Sequence, residues 1–229
     1  MGDQLGRHLY PGEAMNLTER SSLRRLPARG SHELSVINSI LDAGFLAHVG
    51  FSMERQPFVI PTLYGREEGT LFLHGSAASR MLRELEKGVP ACVTVTHVDG
   101  LVLARSAFHH SMNYRSVVAF GQAQAITDLD AKTRALRIIS EHLIAGRWQE
   151  VRGPNPKELK ATAVLAFTIE EASAKIRTGP PLDDEEDYQL TVWAGVLPFT
   201  TAAGIPVPDE HGAERPVPEY VRKYQRNKR

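Results

Sequence analysis

The sequence predicts a mainly β fold with inserted helices: a small barrel of six or seven antiparallel strands of Greek-key type. Three observations carry that expectation. Short apolar runs recur with turn residues between them, at hairpin spacing. Only two or three segments have helical periodicity, and they interrupt the strands too irregularly for a parallel sheet of alternating strands and helices. The chain has 229 residues, 42% hydrophobic and 24% charged, which suits one globular domain with arms.

Residues 1–30 are rich in Gly, Arg, Ser and Pro without periodicity, and read as a mobile N-terminal arm. The domain is expected over residues 31–204. In "SHELSVINSILDAG", Leu34, Ile37, Ile40 and Leu41 follow the candidate cap Ser31 and precede Gly44, which predicts a short helix. "FLAHVGFS", "PFVIPTLY" and "TLFLHG" read as strands; "MERQ" and "GREEG" separate them closely enough for antiparallel pairing. A helix is expected from Ser76 to Glu86. "ACVTVTHV" and "LVLARSAF" flank Asp99 and Gly100, a dipeptide favoured in two-residue hairpins. "SVVAFGQAQAIT" is a long strand with a bulge or bend expected at Gly121. "DLDAKTRALRIISEHLIAG" puts Leu129, Leu136, Ile139 and Leu143 on one helix face before Gly146. "TAVLAFTIEEASAKIR" returns to strand chemistry, and residues 205–229, with four prolines and a basic end, read as an extended arm.

Lys plus Arg (27) balance Asp plus Glu (27), so no whole-molecule field points to nucleic acid or a charged membrane surface. A nucleic-acid role would rest on the tail "YVRKYQRNKR" alone, and is not expected. The single cysteine, Cys92, lies in an apolar run and reads as a buried, inert thiol in a reducing compartment. No stretch approaches the ~18 apolar residues of a membrane span, and the first residues have no apolar leader pattern. The expectation is a soluble, cytoplasmic protein.

The strand-to-helix junction "LFLHGSAASRMLRELEKG" has the chemistry of an anion site. The first N–H groups of a helix lack internal partners and carry partial positive charge. Gly75, Ser76, Ala77 and Ala78 allow close approach to the backbone, Ser79 adds a hydroxyl in the first turn, and Arg80 adds a forked cation. The same residues also suit an ordinary helix capped by Ser76, with Arg80 paired to Glu84 at i,i+4. Spacing alone leaves both open.

"PFVIPTLYG", "TLFLHGSAASRML", "MNYRSVVAFGQAQAI" and "VWAGVLP", in that order, resemble the pyridoxamine 5′-phosphate oxidase-like FMN-binding split-barrel family. The nearest branch is that of flavin-nucleotide-binding proteins related to nitroimidazole resistance. The resemblance covers roughly residues 31–208. It implies a homodimer with FMN in a groove between subunits and its phosphate on the strand-helix junction. Ser79 and Arg80 match the phosphate-binding pair, and His74 and Gly75 match the end of the preceding strand. The backbone around Val59, Ile60, Pro61 and Thr62 would line the flavin ring. The partner subunit would contribute the region matching Tyr114, Arg115 and Ser116, and Trp193 matches a tryptophan near the flavin.

The resemblance implies an oxidoreductase that takes electrons from a nicotinamide nucleotide or another small substrate. The sequence departs from the vitamin-making oxidase. Tyr64 and Met81 stand where that enzyme has lysines, and its Arg-x-His motif is absent after Trp193, so pyridoxal phosphate formation is not expected. Rival expectations are a flavin carrier without chemistry, or a haem or deazaflavin split barrel in which His74 or His110 is an axial ligand candidate.

His74 is the candidate proton-handling residue, because imidazole titrates near neutrality. A metal site is not expected: His109 and His110 are adjacent, so on a strand they would point to opposite faces. Lys175 and Arg177, at i,i+2, share a strand face and could meet an anion, or pair with the acidic run at residues 183–187.

Overall fold

A computed structural model of the chain describes residues 14–15, 18–212 and 214–226. The expected N-terminal arm therefore lies partly outside the described residues, as does the basic end at 227–229. In chain order the elements are β1 (Gly30–Ser31), α1 (Leu34–Ala43), β2 (Leu46–Met53), β3 (Gln56–Glu67), β4 (Thr70–Ser76), α2 (Arg80–Leu85) and β5 (Ala91–Leu103). There follow β6 (Ser111–Ala125), α3 (Leu129–Leu143), α4 (Arg147–Glu150), α5 (Pro156–Ala161), β7 (Thr162–Arg177), β8 (Gly195–Pro198) and α6 (Glu219–Arg222).

All strand pairs are antiparallel, in the order β1-β7-β4-β3-β2-β5-β6, and β6 also pairs β7. Six strands thus close into a ring, with the short β1 on β7 and β8 on β5. Closure removes sheet edges that would otherwise present unpaired backbone groups.

The ring's interior is filled from its walls and by two helices. Val49, Leu71, Leu73, Val93, Val117, Phe167 and Ala174 alternate inward, while Ile37, Ile40 and Leu41 of α1 and Met81, Leu82 and Leu85 of α2 complete the same cluster. On the outer face of β4 and β7, Phe72 and Val164 pack against Ala135 and Ile139 of α3. Two covered faces explain why Leu71, Phe72 and Leu73 are all buried in sequence.

The structure moves several expected features. α1 starts later: Glu33 is its N-cap without a side-chain bond, while Ser31 pairs with Ala174 in β1. The β2–β3 turn is the two residues Glu54 and Arg55, with φ of 50° and 66°, the left-handed pair a tight hairpin demands. "GREEG" is only partly a turn. Gly65 lies within β3, where an added Cβ would sit 2.6 Å from the Ile139 Cα atom, so its role is to let α3 approach.

Asp99 and Gly100 do not turn the chain. They form a bulge inside the continuous strand β5, which must extend far enough to pair β6 and β8. Gly100 is required there because a Cβ would meet the Leu197 carbonyl oxygen at 2.7 Å. Gly121 does sit at a bulge, opposite the Thr168 carbonyl. α3 is capped by Asp128 as its sequence predicts, but Leu129 is exposed at its first position, outside the buried stripe. Among the described residues there are six α-helices rather than two or three.

The C-terminal segment ends on the outer helices. The Tyr220 hydroxyl donates to Glu150, and Tyr224 donates to the Leu143 carbonyl. Arg226 donates to the carbonyls of Gly44, His142 and Leu143, where α1 and α3 both end and their carbonyls lack internal partners.

Candidate functional site

The ring has an uneven seam. β3 pairs β2 from Gln56 to Leu63, in register with Met53 to Leu46. On its other side it pairs β4 only from Tyr64 to Glu67. The half from Gln56 to Leu63 therefore has one paired edge and one open edge, facing the end of β4 and α2. Val59 is 68% exposed, Pro61 is exposed, and Ile60 and Thr62 are half-buried toward the core side. A proline beside an open edge fits, since it has no N–H to leave unpaired.

Across this opening stands α2. Ser79 is its N-cap, accepting from the Leu82 amide at 3.5 Å, and Ser76 instead closes β4, accepting from the Ala78 amide at 3.2 Å. This reverses the expected roles of the two serines, because β4 continues to Ser76 before the chain turns. Gly75 packs close to Leu82, where an added Cβ would lie 3.2 Å from a methyl carbon. Arg80 has no ion-pair partner among the described residues, since Glu84 pairs with Lys87 at 2.6 Å. Its guanidinium lies 4.5 Å from the ring centroid of Phe58, so it spans the opening from α2 to β3. Arg80 at the start of α2 thus reaches the open half of β3.

The same chain does not bring the other expected flavin contacts there. Tyr114, Arg115 and Ser116 lie on β6, whose neighbours are β5 and β7. Arg115 is held by a bidentate pair to Asp99, both contacts at 2.9 Å, across the β5 bulge. Trp193 lies between β7 and β8, 66% exposed, with its ring against Gly195.

His74 faces away from the ring interior. It alternates with the core residue Leu73 and lines a cavity of about 460 Å³ under α3, together with Leu63, Leu136, Ile139, Leu143 and Trp148. Val151, Arg152, Pro154 and Glu158 close its far side. The Nδ1 atom of His74 is buried and has no hydrogen-bond partner. Burial holds its pKa below the ordinary imidazole value, so the ring is neutral at neutral pH. Leu63 belongs to both the open half of β3 and this cavity, which places the two sites side by side.

The cavity residues of α3 to α5 could not be picked out in the sequence. Trp148, Arg152 and Glu158 come from "GRWQEVRGPNPKELK", where no periodicity marks a site. A weak signal existed in Asn155 and Glu158, which form the capping box of α5.

Other candidates resolve differently. His110 accepts from the Ala104 amide at 3.1 Å, and His109 meets Asp184 at 3.1 Å. Asp187 joins that pair, with ligand-type atoms within 4.8 Å of one another. The acidic run does not pair with Lys175 or Arg177: Asp183 is held by the backbone amide and guanidinium of Arg105 at 2.8 and 3.0 Å. Lys175 instead donates to the Arg25 carbonyl, and Arg177 to Asn113 and the carbonyls of Gly179 and Pro180. The reason is distance along the fold: the 183–187 segment lies against the turn that follows β5.

Cys92 is half-buried on β5, and burial raises its thiol pKa. No helix among the described residues is long and apolar enough to cross a membrane.

The family model described as pyridoxamine 5′-phosphate oxidase matches residues 34–176. The structure is similar to the flavocytochrome Anf3 of Azotobacter vinelandii: 42% identity, 91% of this chain and 97% of that chain covered, TM-score 0.85. It is also similar to a FAD and haem binding protein of Mycobacterium smegmatis: 38% identity, 85% of this chain and 96% of that chain, TM-score 0.81. A candidate 5-nitroimidazole antibiotic resistance protein of Bacteroides thetaiotaomicron shares the fold at 23% identity, covering 64% of this chain and 86% of that chain, with a TM-score of 0.54. No curated protein sequence matches the chain.

Proposed function

The chain belongs to the pyridoxamine 5′-phosphate oxidase family, and from that premise we propose that it is a redox protein holding a flavin in the cleft of β3 and a haem in the cavity beside it. The observation that carries the haem is His74, whose buried Nδ1 has no partner on the wall of a largely apolar cavity. A buried polar atom left unpaired costs stability, and a neutral imidazole is a common axial ligand of haem iron. The volume, about 460 Å³, lies within the range of cofactor sites. The residues therefore fit the group. His110, the other ligand candidate, already accepts the Ala104 amide. The descriptions of the two relatives above, a flavocytochrome and a FAD and haem binding protein, support the same reading.

For the flavin, the support is the unpaired Arg80 across an open strand edge. A dianionic phosphate needs such a cation, and a flat ring needs an apolar wall such as Val59 to Thr62 provide. The resemblance implies FMN; the Mycobacterium smegmatis relative, named for FAD, favours the dinucleotide, and FAD is our reading.

When bound, the flavin supplies hydride and electron exchange with a donor such as a nicotinamide nucleotide, and the haem supplies one-electron exchange. The chain's part is positional. Arg80 holds phosphate, the α3 wall excludes water, and Leu63, common to both sites, keeps them adjacent. Pyridoxamine phosphate oxidation is not part of this reading, because Tyr64 and Met81 are core residues and offer nothing to a substrate phosphate.

A second copy of the chain completes the cleft in this reading. Met112, Leu101 and Leu197 occupy matched positions on β6, β5 and β8, and all three are exposed, a row of apolar side chains left in water by one chain. Tyr114, Arg115 and Ser116 continue along β6 from that row.

The absorbance spectrum of the purified protein tests the proposal. Flavin bands and a Soret band are expected together, and His74→Ala should lose the Soret band while keeping the flavin bands. Flavin without haem, even after addition of haemin, would leave a simple flavoprotein; anaerobic mixing with NADH and NADPH would then separate an oxidoreductase from a carrier. Absence of both, with no rebinding of FMN or FAD, would overturn the reading.

A further inference from the structure

Arg177 is 7% exposed, yet among the described residues no carboxylate pairs with it. Its guanidinium donates only to the neutral oxygens of Asn113, Gly179 and Pro180, and its Nε has no partner. Buried charges are normally paired, because an ion taken out of water loses solvation that an opposite charge must offset. Here the neighbouring charge has the same sign: Arg29 lies close enough to push the Arg177 pKa down, adding to the effect of burial.

Two further cations join them. β1 pairs β7 with Gly30 opposite Lys175, so Arg29 enters the sheet beside Lys175 and Arg177, which share one side of the strand. Lys175 reaches the Arg25 carbonyl, which brings the segment carrying Arg25 to the same place. Among the described residues, Arg25, Arg29, Lys175 and Arg177 have no ion-pair partner. Several carboxylates are held by other cations: Glu171 by Arg20, Asp99 by Arg115, Asp183 by Arg105 and Glu19 by Arg24. The patch borders Tyr114 and Ser116 of β6, which stand opposite Arg177 and Lys175.

We propose that Arg25, Arg29, Lys175 and Arg177 form a binding site for the pyrophosphate group of a nucleotide. Two cations on β7 and two on the segment leading into β1, none with an ion-pair partner among the described residues, match an anion of more than one charge. Three can approach it directly, and Arg177 acts from beneath through a poorly screened field. The ADP half of FAD and the ADP half of a nicotinamide dinucleotide carry the same group. Assigning the patch to FAD rests on the flavin reading above; its affinity for pyrophosphate does not.

The test compares wild type with Arg29→Ala/Lys175→Ala, two substitutions at half-exposed positions that leave Arg80 and His74 untouched. Inorganic pyrophosphate and ADP are titrated into the isolated holoprotein by calorimetry, and FAD, FMN and NADPH affinities are measured for both proteins. If FAD is the source, the variant loses about tenfold or more in FAD affinity with FMN affinity unchanged. If the nicotinamide dinucleotide is the source, pyrophosphate and ADP bind the wild-type holoprotein, and NADPH affinity falls by about the same factor in the variant. A protein that holds no flavin but binds pyrophosphate, with the variant weakened, would refute the flavin reading and keep the patch. The proposal is overturned if pyrophosphate neither binds the holoprotein nor displaces its flavin and the variant keeps every nucleotide affinity.

Discussion

The two halves of β3 have the same local chemistry and opposite fates. From Tyr64 to Glu67 the strand pairs β4, and α3 lies on it. There Tyr64 is fully buried and donates to the Leu41 carbonyl at 2.5 Å, and Gly65 exists to admit a helix. From Gln56 to Leu63 the strand pairs β2 instead, and Gln56, Pro57, Val59, Pro61 and Leu63 stay exposed. What separates them is the point at which β4 leaves β3, so coverage rather than residue type decides which half is structural and which is available for binding.

The sharpest way to break the comparison is on the covered half. Gly65→Ala should cost about 2–3 kcal/mol in denaturant unfolding, because the new methyl would meet backbone atoms of α3 rather than a mobile side chain. Loss of haem should accompany it, since α3 is the cavity wall. On the open side, Arg80→Ala should weaken flavin binding by ~1–3 kcal/mol while leaving the unfolding midpoint of the flavin-free protein unchanged. Wild-type affinity in that variant would place the phosphate elsewhere.

A smaller effect separates the halves by pH. His142 of α3 packs at a tilt on Tyr64, 4.9 Å between centroids, and its Nε2 donates to the Gly44 carbonyl at 2.7 Å. Burial, then the nearby Arg226, lowers its pKa from 6.5 to about 4. The unfolded chain binds this proton more readily than the native one. Stability should therefore fall as pH drops below 6.5, with no further loss from this group below about 4. Melting temperatures across that range should show the decline, and His142→Gln should flatten it. Least of all, Val59→Thr on the open half should change stability by less than about 0.5 kcal/mol, since nothing packs over it.

Much of the fold was legible in the sequence because the relevant signals are local. Alternation marked β2, β3, β4, β6 and β7, Asp128 and its periodic stripe marked α3, and Gly121 marked a bulge. The misreadings share one cause. Asp99 and Gly100 suit a hairpin, but β8 and β6 hold both flanks of β5 in one line, so the dipeptide becomes a bulge. Ser31 suits a cap, but pairing with β7 draws it into a strand. In each case a partner distant in sequence outweighed a local preference worth roughly a kilocalorie.

The site divides in the same way. Ser79 and Arg80, which we propose hold the phosphate, were legible as a strand-to-helix junction because such a junction is built from consecutive residues. His74 was visible as a titratable residue, but its direction was not. The sequence by itself determined the strands, the α3 stripe and the family, since these depend on period and order along the chain. Only the tertiary structure decided that His74 turns toward α3, that β3 is open along half its length, and that Arg177 is buried without a counter-charge. Those three facts depend on which distant segments cover a residue, and coverage sets the solvation that makes an imidazole or a guanidinium available to a ligand.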